Sequence, residues 1–205
     1  MLRFFHRPCG IGAPLNVHMF APANLMRHAR CLVREPAYFS HRIRVMAEQL
    51  LHPDAPWLTR DAVRMLDQFL RPDMKGFEWG SGKSTIWLAQ RLSSLVSVEH
   101  NPEWFEIVRQ MARKSRLSNV DQRLASHSTY VHQISEFPDS HFDVILIDGE
   151  LRDSCIRESA RKINVGGYIC LDNADSEFDV MPFNAFKQHA TSNGVWRTDI
   201  YMRVR

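Results

Sequence analysis

The segment Lys75-Gly-Phe-Glu-Trp-Gly-Ser-Gly-Lys-Ser-Thr85 determines the architecture that we predict for this chain of 205 residues. A short apolar run turns abruptly into a glycine-rich loop and then into a stretch that favours helix. Gly80 and Gly82 permit a tight turn and let a ligand approach the backbone closely. This order predicts the first strand of a parallel sheet, followed by a binding loop and a helix.

Downstream of this segment, short apolar runs alternate with helical segments. Strands are predicted at 77–79, 95–99, 120–125, 142–148, 168–171 and 196–204, and helices at 84–93, 102–116, 152–163 and 181–191. Such alternation is typical of a parallel sheet with helices on both faces. We therefore predict an α/β fold with a doubly wound, mostly parallel sheet. Only one strand is predicted after residue 190, so the sheet edge is expected to be truncated or completed by a partner chain.

The first 72 residues differ in composition from the rest of the chain. Seven of the ten prolines lie in the first 72 residues, which favours short helices and loops over sheet. Helices are predicted at 22–34, 37–51 and 59–70, the last with Thr59 as its N-cap. Residues 1–50 carry a net charge of +5, whereas the remainder carries −2. We predict an N-terminal helical or irregular segment at 1–72 and a cofactor-binding domain at 73–205.

Composition excludes several classes of protein. The longest aliphatic run is four residues, Val144 to Ile147, so no membrane span is expected. The apolar start of the chain is interrupted by charge and proline, which argues against a secretory signal. The four cysteines form no C-x-x-C pair, which favours free thiols and a cytoplasmic location. The ten histidines show no local zinc-binding spacing, so zinc is not expected.

The residues suited to chemistry lie at predicted strand ends, where open parallel sheets bind ligands. Glu78 lies beside the glycine loop, and Glu99 ends the second strand 21 residues later. At that separation an acidic side chain reaches the hydroxyl pair of a ribose. Asp148 ends the fourth strand, and Asp172-Asn173 ends the fifth.

Three interpretations of the glycine loop compete. A phosphate loop requires glycine at the position of Phe77, and the Glu78 carboxylate would repel phosphates. A nicotinamide-binding loop requires glycine at the position of Thr85. A nucleoside ligand with a cationic head suits Glu78, because a carboxylate attracts an ammonium or sulfonium group. The sequence favours this third interpretation.

Four ordered motifs resemble those of class I S-adenosylmethionine-dependent methyltransferases, particularly small bacterial members with an E-x-G-S-G-x-S-T loop. The motifs are Glu78-Trp-Gly-Ser-Gly82, Val98-Glu-His-Asn101, Asp143-Val-Ile-Leu-Ile-Asp-Gly149 and Gly166-Gly-Tyr-Ile-Cys-Leu-Asp-Asn173. The resemblance covers about residues 57–205. It implies a Rossmann-like fold, S-adenosylmethionine as cofactor, and methyl transfer to an oxygen or nitrogen of a small-molecule or glycan acceptor, with no nucleic-acid partner. The alternatives are a phosphate-loop ATPase or GTPase and a non-catalytic binding module.

The resemblance also implies roles for individual residues. Glu78, Gly80 and Gly82 would hold the methionine part of the cofactor, Glu99 the ribose, and His100 the adenine. Asp148 would lie beneath the methyl donor. The whole cofactor-binding set is Glu78, Trp79, Gly80, Ser81, Gly82, Ser84, Glu99, His100, Ser126, His127 and Asp148.

A second resemblance concerns Asp148, Asp172 and Asn173, which match the ligand positions of cation-dependent O-methyltransferases. Oxygen ligands of this kind suit Mg²⁺ or Ca²⁺. However, Leu151 stands where those enzymes carry a lysine base. We therefore favour Asp172-Asn173 as a turn and expect no tightly bound metal. Asp148, Arg152 and Asp172 are the catalytic candidates, with Arg152 gripping an anionic acceptor or pairing with a nearby acid. A homodimer is compatible with the sequence.

Overall fold

The computed structural model describes residues 36–174 and 183–205. The helix predicted at 22–34 lies outside these residues. The helices are α1 (Pro36–Leu51), α2 (Arg60–Phe69), α3 (Lys83–Ala89), α4 (Pro102–Lys114), α5 (His127–Tyr130) and α6 (Arg152–Lys162). The strands are β1 (Lys75–Trp79), β2 (Ser94–Glu99), β3 (Val120–Leu124), β4 (Phe142–Ile147), β5 (Ile163–Asp172), β6 (Phe186–Ser192) and β7 (Arg197–Arg203). Short 3₁₀ helices follow α5 at Val131–Glu136 and precede β6 at Phe183–Ala185.

The strands form one seven-stranded sheet in the order β3-β2-β1-β4-β5-β7-β6. Strands β1 to β5 are mutually parallel, whereas β7 runs antiparallel to both of its neighbours. The order reverses between β1 and β4, which places the ligand crevice of a doubly wound sheet at their carboxyl ends. The predicted mostly parallel α/β fold is confirmed.

Hydrophobic residues pack on both faces of the sheet. On one face, Phe77 and Ile145 belong to a core that also contains Tyr130 and Phe142. On the other face, Val144 joins a core with residues of α2 and α3. Strand β4 contributes alternate residues to both cores, which explains why it reads as a continuous apolar run in the sequence.

Two predictions about the C-terminal third are wrong. The helix predicted at 181–191 is contradicted by β6, which pairs along its whole length with β7, while residues 175–182 lie outside the described part. The chain therefore has a terminal hairpin of its own, and this edge of the sheet is not truncated. The second error concerns β5, which begins at Ile163 directly after α6 rather than at Tyr168. Gly166 and Gly167 lie within this strand, near a register shift in its pairing with β4.

Helix α2 packs on the second core through Ala62 and Leu66. Thr59 occupies its N-cap position, but its side chain makes no capping bond. Instead the Thr59 hydroxyl hydrogen-bonds to that of Thr191, and the Thr59 N–H donates to Thr198 Oγ1 over 3.1 Å. The side chain that was predicted to cap the helix thus ties it to the β6–β7 hairpin. The division at residue 72 stays a prediction.

Within residues 36–174 and 183–205, no helix is both long enough and apolar enough to cross a bilayer.

We predict that Leu66→Ala lowers the free energy of unfolding by about 2–4 kcal/mol, because the side chain is 2% exposed and its loss leaves a cavity between α2 and the sheet. The matched control is Ile43→Ala in α1, where the side chain is 52% exposed and the cost should stay below about 0.5 kcal/mol. Urea unfolding of both variants measures the difference. Equal costs would mean that α2 does not pack on the sheet.

Candidate functional site

The crevice is built around a close contact between the loops after β1 and β4. Gly80 has a φ of +91° and donates its N–H to the Val98 carbonyl over 2.9 Å. The Asp148 N–H donates to the Trp79 carbonyl, also over 2.9 Å. A Cβ on Gly80 would lie 2.6 Å from the backbone nitrogen of Gly149. The two loops can therefore approach this closely only with glycine at position 80.

Glu78 is fully buried behind this loop. Its Oε2 accepts hydrogen bonds from Thr85 Oγ1 at 2.6 Å and from Ser97 Oγ at 2.7 Å, whereas Oε1 has no partner in the described part of the chain. Burial raises the pKa of Glu78 to about 7, and hydrogen bonds from neighbouring hydroxyls limit the rise. A buried carboxyl with one free oxygen is suited to receive a cationic group.

The helix after the glycine loop begins directly after Gly82, its N-cap residue. The Gly82 N–H donates to Thr85 Oγ1 over 2.9 Å, and Ser84, a predicted cofactor-binding residue, is buried. Thr85 then donates to Glu78, so one hydroxyl connects the loop to the buried acid. The sequence analysis missed this role, although Thr85 lies three residues after Gly82, where capping-box side chains occur.

Glu99 is fixed by backbone N–H groups. Its Oε1 accepts from His100 N at 2.9 Å and Asn101 N at 2.8 Å, and its Oε2 accepts from Ser81 N at 3.1 Å. The Ser81 hydroxyl hydrogen-bonds to that of Ser97 over 2.7 Å. The carboxylate therefore holds the glycine loop against the end of β2 in a single arrangement.

Trp79 belongs to the core rather than to an open pocket wall. Its side chain is fully buried, and the indole N–H donates to the Tyr130 carbonyl over 3.0 Å. The Tyr130 ring lies under the loop after β4, and its hydroxyl would collide with a Cβ on Gly149. The sequence analysis gave Tyr130 no role, because only the fold brings it next to the loop after β4. Ser126, a predicted cofactor-binding residue, is by contrast exposed at the start of α5.

The ends of β2, β3 and β4 bring together His100, His127 and Glu150. His127 Nε2 lies 2.6 Å from Glu150 Oε2, and His100 Nε2 lies 3.4 Å from Glu150 Oε1. The two imidazole rings are 5.1 Å apart. Both histidines were predicted site residues, but Glu150 was not. Its position directly after the Asp148-Gly149 pair at a strand end was the available signal.

Asp148, Arg152 and Asp172 form a second charged group. Arg152 Nη2 donates to the Asp148 carbonyl at 2.9 Å and to Asp148 Oδ1 at 3.3 Å. Burial, and then the nearby Asp172 carboxylate, raise the pKa of Asp148. Burial also raises the pKa of Asp172 to about 6, although its Oδ1 accepts from Thr198 Oγ1 at 2.6 Å. Carboxyl groups whose pKa values are raised in this way are better proton acceptors than ordinary aspartates.

Asn173 adopts a left-handed conformation with a φ of 53°, and its amide donates to Asp172 Oδ2. This geometry is that of a turn, the interpretation that the sequence favours. The expectation that Asp148, Asp172 and Asn173 hold no tightly bound metal stays a prediction. A cavity of about 530 Å³ opens beside this group and is lined by Gly149, Glu150, Leu151, Arg152, Asp153, Ser154 and Arg157.

Comparison with known proteins agrees with this architecture. Residues 77–174 match a family model described as a methyltransferase domain. No curated protein matches the chain. The match confirms the predicted resemblance to methyltransferases.

Solved structures agree with the fold. SMU.1697c from Streptococcus mutans, described as a candidate methyltransferase and solved in complex with SAH, is 13% identical, with a TM-score of 0.55 over 67% of this chain and 93% of that chain. A SAM-dependent methyltransferase from Aquifex aeolicus is 14% identical, with a TM-score of 0.51 over 69% of this chain and 88% of that chain. YcgJ from Bacillus subtilis is 19% identical, but its TM-score is 0.45, and this chain spans 48% of its length and is itself 53% covered. At these identities the first two likenesses show the fold.

We predict that Gly80→Ala lowers the free energy of unfolding by about 2–4 kcal/mol, because the substitution strains the positive φ and forces a backbone collision. Gly82→Ala is the matched control in the same loop. Its φ is −179°, and a Cβ there would meet only Ser84 Oγ at 3.8 Å, so the cost should stay below about 1 kcal/mol. Thermal or urea unfolding distinguishes the two. If both variants lose stability equally, the contact with Gly149 is not what requires glycine at position 80.

Proposed function

We propose that this chain, whose residues 77–174 match a methyltransferase domain, transfers a methyl group from S-adenosylmethionine to an oxygen or nitrogen of a small-molecule or glycan acceptor. One observation carries the proposal. Glu78 is a fully buried carboxyl with an unpartnered oxygen, and it lies beside a glycine loop at the switch point of the sheet. A buried acid in that place suits a ligand with a cationic head and disfavours a polyphosphate.

The residues of the crevice fit the parts of this cofactor. Glu78 Oε1 is free to accept from the ammonium of the methionine part, and Gly82 leaves open space where a side chain would stand. Glu99 uses three of the roughly four acceptor positions of a carboxylate on backbone N–H groups, which leaves capacity for a ribose hydroxyl. His100, Ser126 and His127 surround the position that we assign to the adenine.

The bound cofactor supplies an activated methyl group on a sulfonium, so this chain has to contribute position and proton transfer. Asp148 and Asp172 have raised pKa values, which suits them to accept the proton that the acceptor loses. Arg152 orients Asp148 through two hydrogen bonds from one nitrogen. The neighbouring cavity of about 530 Å³ is lined by both arginines and acids, and we assign it to the acceptor.

We propose that the transfer needs no divalent cation. The lysine position of the cation-dependent enzymes is Leu151, whose side chain is exposed. Arg152 already supplies a positive charge 3.3 Å from Asp148 Oδ1. A phosphate-loop ATPase or GTPase is the less favoured alternative, because Glu78 would stand beneath the phosphates.

Calorimetric titration tests the proposed cofactor. We expect micromolar binding of S-adenosylmethionine and S-adenosylhomocysteine and none of ATP. Glu99→Ala should weaken binding by about 1–3 kcal/mol, because ribose hydroxyls lose a charged acceptor. Glu99→Gln keeps the shape and serves if the alanine variant does not fold, as judged by circular dichroism. Glu103→Ala, an exposed acid in the first turn of α4, is the control and should bind as the unmodified chain does. An unchanged dissociation constant for folded Glu99 variants would remove Glu99 from the site.

Glu78 gives the binding a pH dependence. Its pKa of about 7 in the folded chain exceeds the ordinary value of 4.5, so the free ligand site carries a proton that a cationic ligand must displace. Affinity for S-adenosylhomocysteine should therefore rise from about pH 5.5 to about pH 8. Glu78→Gln should bind weakly and show a flatter profile.

The same shift affects stability with the opposite trend. Because the folded state holds its Glu78 proton more tightly than the unfolded state, the free energy of unfolding without ligand should fall as pH rises from about 4.5 to about 7. Glu78→Gln should lack this contribution, because an amide does not ionise in this pH range, while its carbonyl can still accept from Thr85 and Ser97. Urea unfolding at pH 5 and pH 8 measures the change. If the variant and the unmodified chain have the same slope, Glu78 is ionised throughout.

A further inference from the structure

Three side chains with metal-binding atoms meet above the carboxyl ends of β2, β3 and β4. They are His100, His127 and Glu150, and the nearest ligand atoms of all three lie within 4.8 Å of one another. In residues 36–174 and 183–205, this is the only group of three histidine, cysteine or acidic side chains that lie this close. The two histidines are far apart in sequence, so no local spacing motif predicts the group.

We propose that these three residues bind a divalent transition-metal ion of the zinc type. Two imidazole nitrogens and one carboxylate are a common ligand set for Zn²⁺. In a tetrahedral site with bonds of about 2.0–2.1 Å, neighbouring ligand atoms are about 3.4 Å apart. The 3.4 Å between Glu150 Oε1 and His100 Nε2 already matches that spacing. The 2.6 Å between Glu150 Oε2 and His127 Nε2 is a direct hydrogen bond, which an ion would replace. Small rotations of exposed side chains would complete it.

A buried carboxylate stands behind one of the ligands. His100 Nδ1 lies 3.2 Å from Glu99 Oε1, on the side of the ring opposite to Glu150. Nδ1 makes no hydrogen bond among the described residues. A small rotation of the ring would let Nδ1–H donate to Glu99, and this tautomer leaves the Nε2 lone pair free for a metal. Glu99 is itself held by three backbone N–H groups, so the position of its carboxylate beside the His100 ring is fixed.

The other two ligands give the ion access from solvent. The side chains of His127 and Glu150 are 64% and 50% exposed, so a water molecule or an acceptor atom can take the fourth position. Three protein ligands with one open position are the arrangement of accessible rather than purely structural zinc sites. Because the ion would lie where we assign the adenine, metal binding should be measured without nucleoside.

The test is calorimetric titration of the full chain with ZnCl₂. We expect binding by the unmodified chain, and at least a roughly tenfold loss of affinity in both His127→Ala and Glu150→Gln. Both substitutions change exposed side chains, and thermal unfolding verifies that the variants fold. The control is His132→Ala, an exposed histidine in the adjacent 3₁₀ helix, which should bind Zn²⁺ as the unmodified chain does.

Residues outside the described ranges include histidines and cysteines, so the comparison between variants is the decisive result. If His127→Ala and Glu150→Gln titrate like the unmodified chain, the proposal is wrong. It is equally wrong if His132→Ala loses affinity to the same extent, since the effect would then reflect histidine content alone.

Discussion

Strands β1 and β4 end against each other with no side chain between them. Gly80 lies on the backbone of Gly149, and the hydrogen bond from Asp148 N to Trp79 O fixes their relative height. Because β2 is held to the same loop through Gly80 N and Val98 O, one contact sets the position of three strand ends. Glu78, Glu99 and Asp148 are attached to those ends. A side chain at position 80 would separate the loops and displace all three acids.

Besides Glu150, four acids lie at this edge of the sheet, and the protein supports them with hydroxyl groups, backbone N–H groups or a guanidinium. Hydroxyl groups of Thr85 and Ser97 support Glu78, and backbone N–H groups support Glu99. Asp148 is paired with Arg152, and Asp172 with Thr198. The support is incomplete, because Glu78 Oε1 has no partner in the described residues and the pKa values of three of the acids are raised. The proposed cationic cofactor would supply the positive charge that these acids lack.

The sequence predicts those strands whose burial leaves a local pattern of apolar residues. Strands β2 and β4 were predicted to within about one residue, because a strand buried on both faces is a continuous apolar run. The acids at strand ends followed from the same runs. Strand β6 escaped prediction, since its exposed, polar residues carry no apolar alternation and pairing with β7 decides its conformation. Tyr130 and Glu150 escaped as well, because their neighbours come from distant segments.

The outermost strand has a consequence for how the protein behaves at high concentration. One side of β6 pairs with β7, and the other has no partner within the described ranges. An unpaired strand edge is a template on which other chains can add by backbone hydrogen bonding. Here Lys187 and His189 are both exposed on that strand. Charged and polar side chains along an edge discourage such addition. The polar composition that prevented the prediction of β6 as a strand therefore also protects the folded protein from aggregating through this edge.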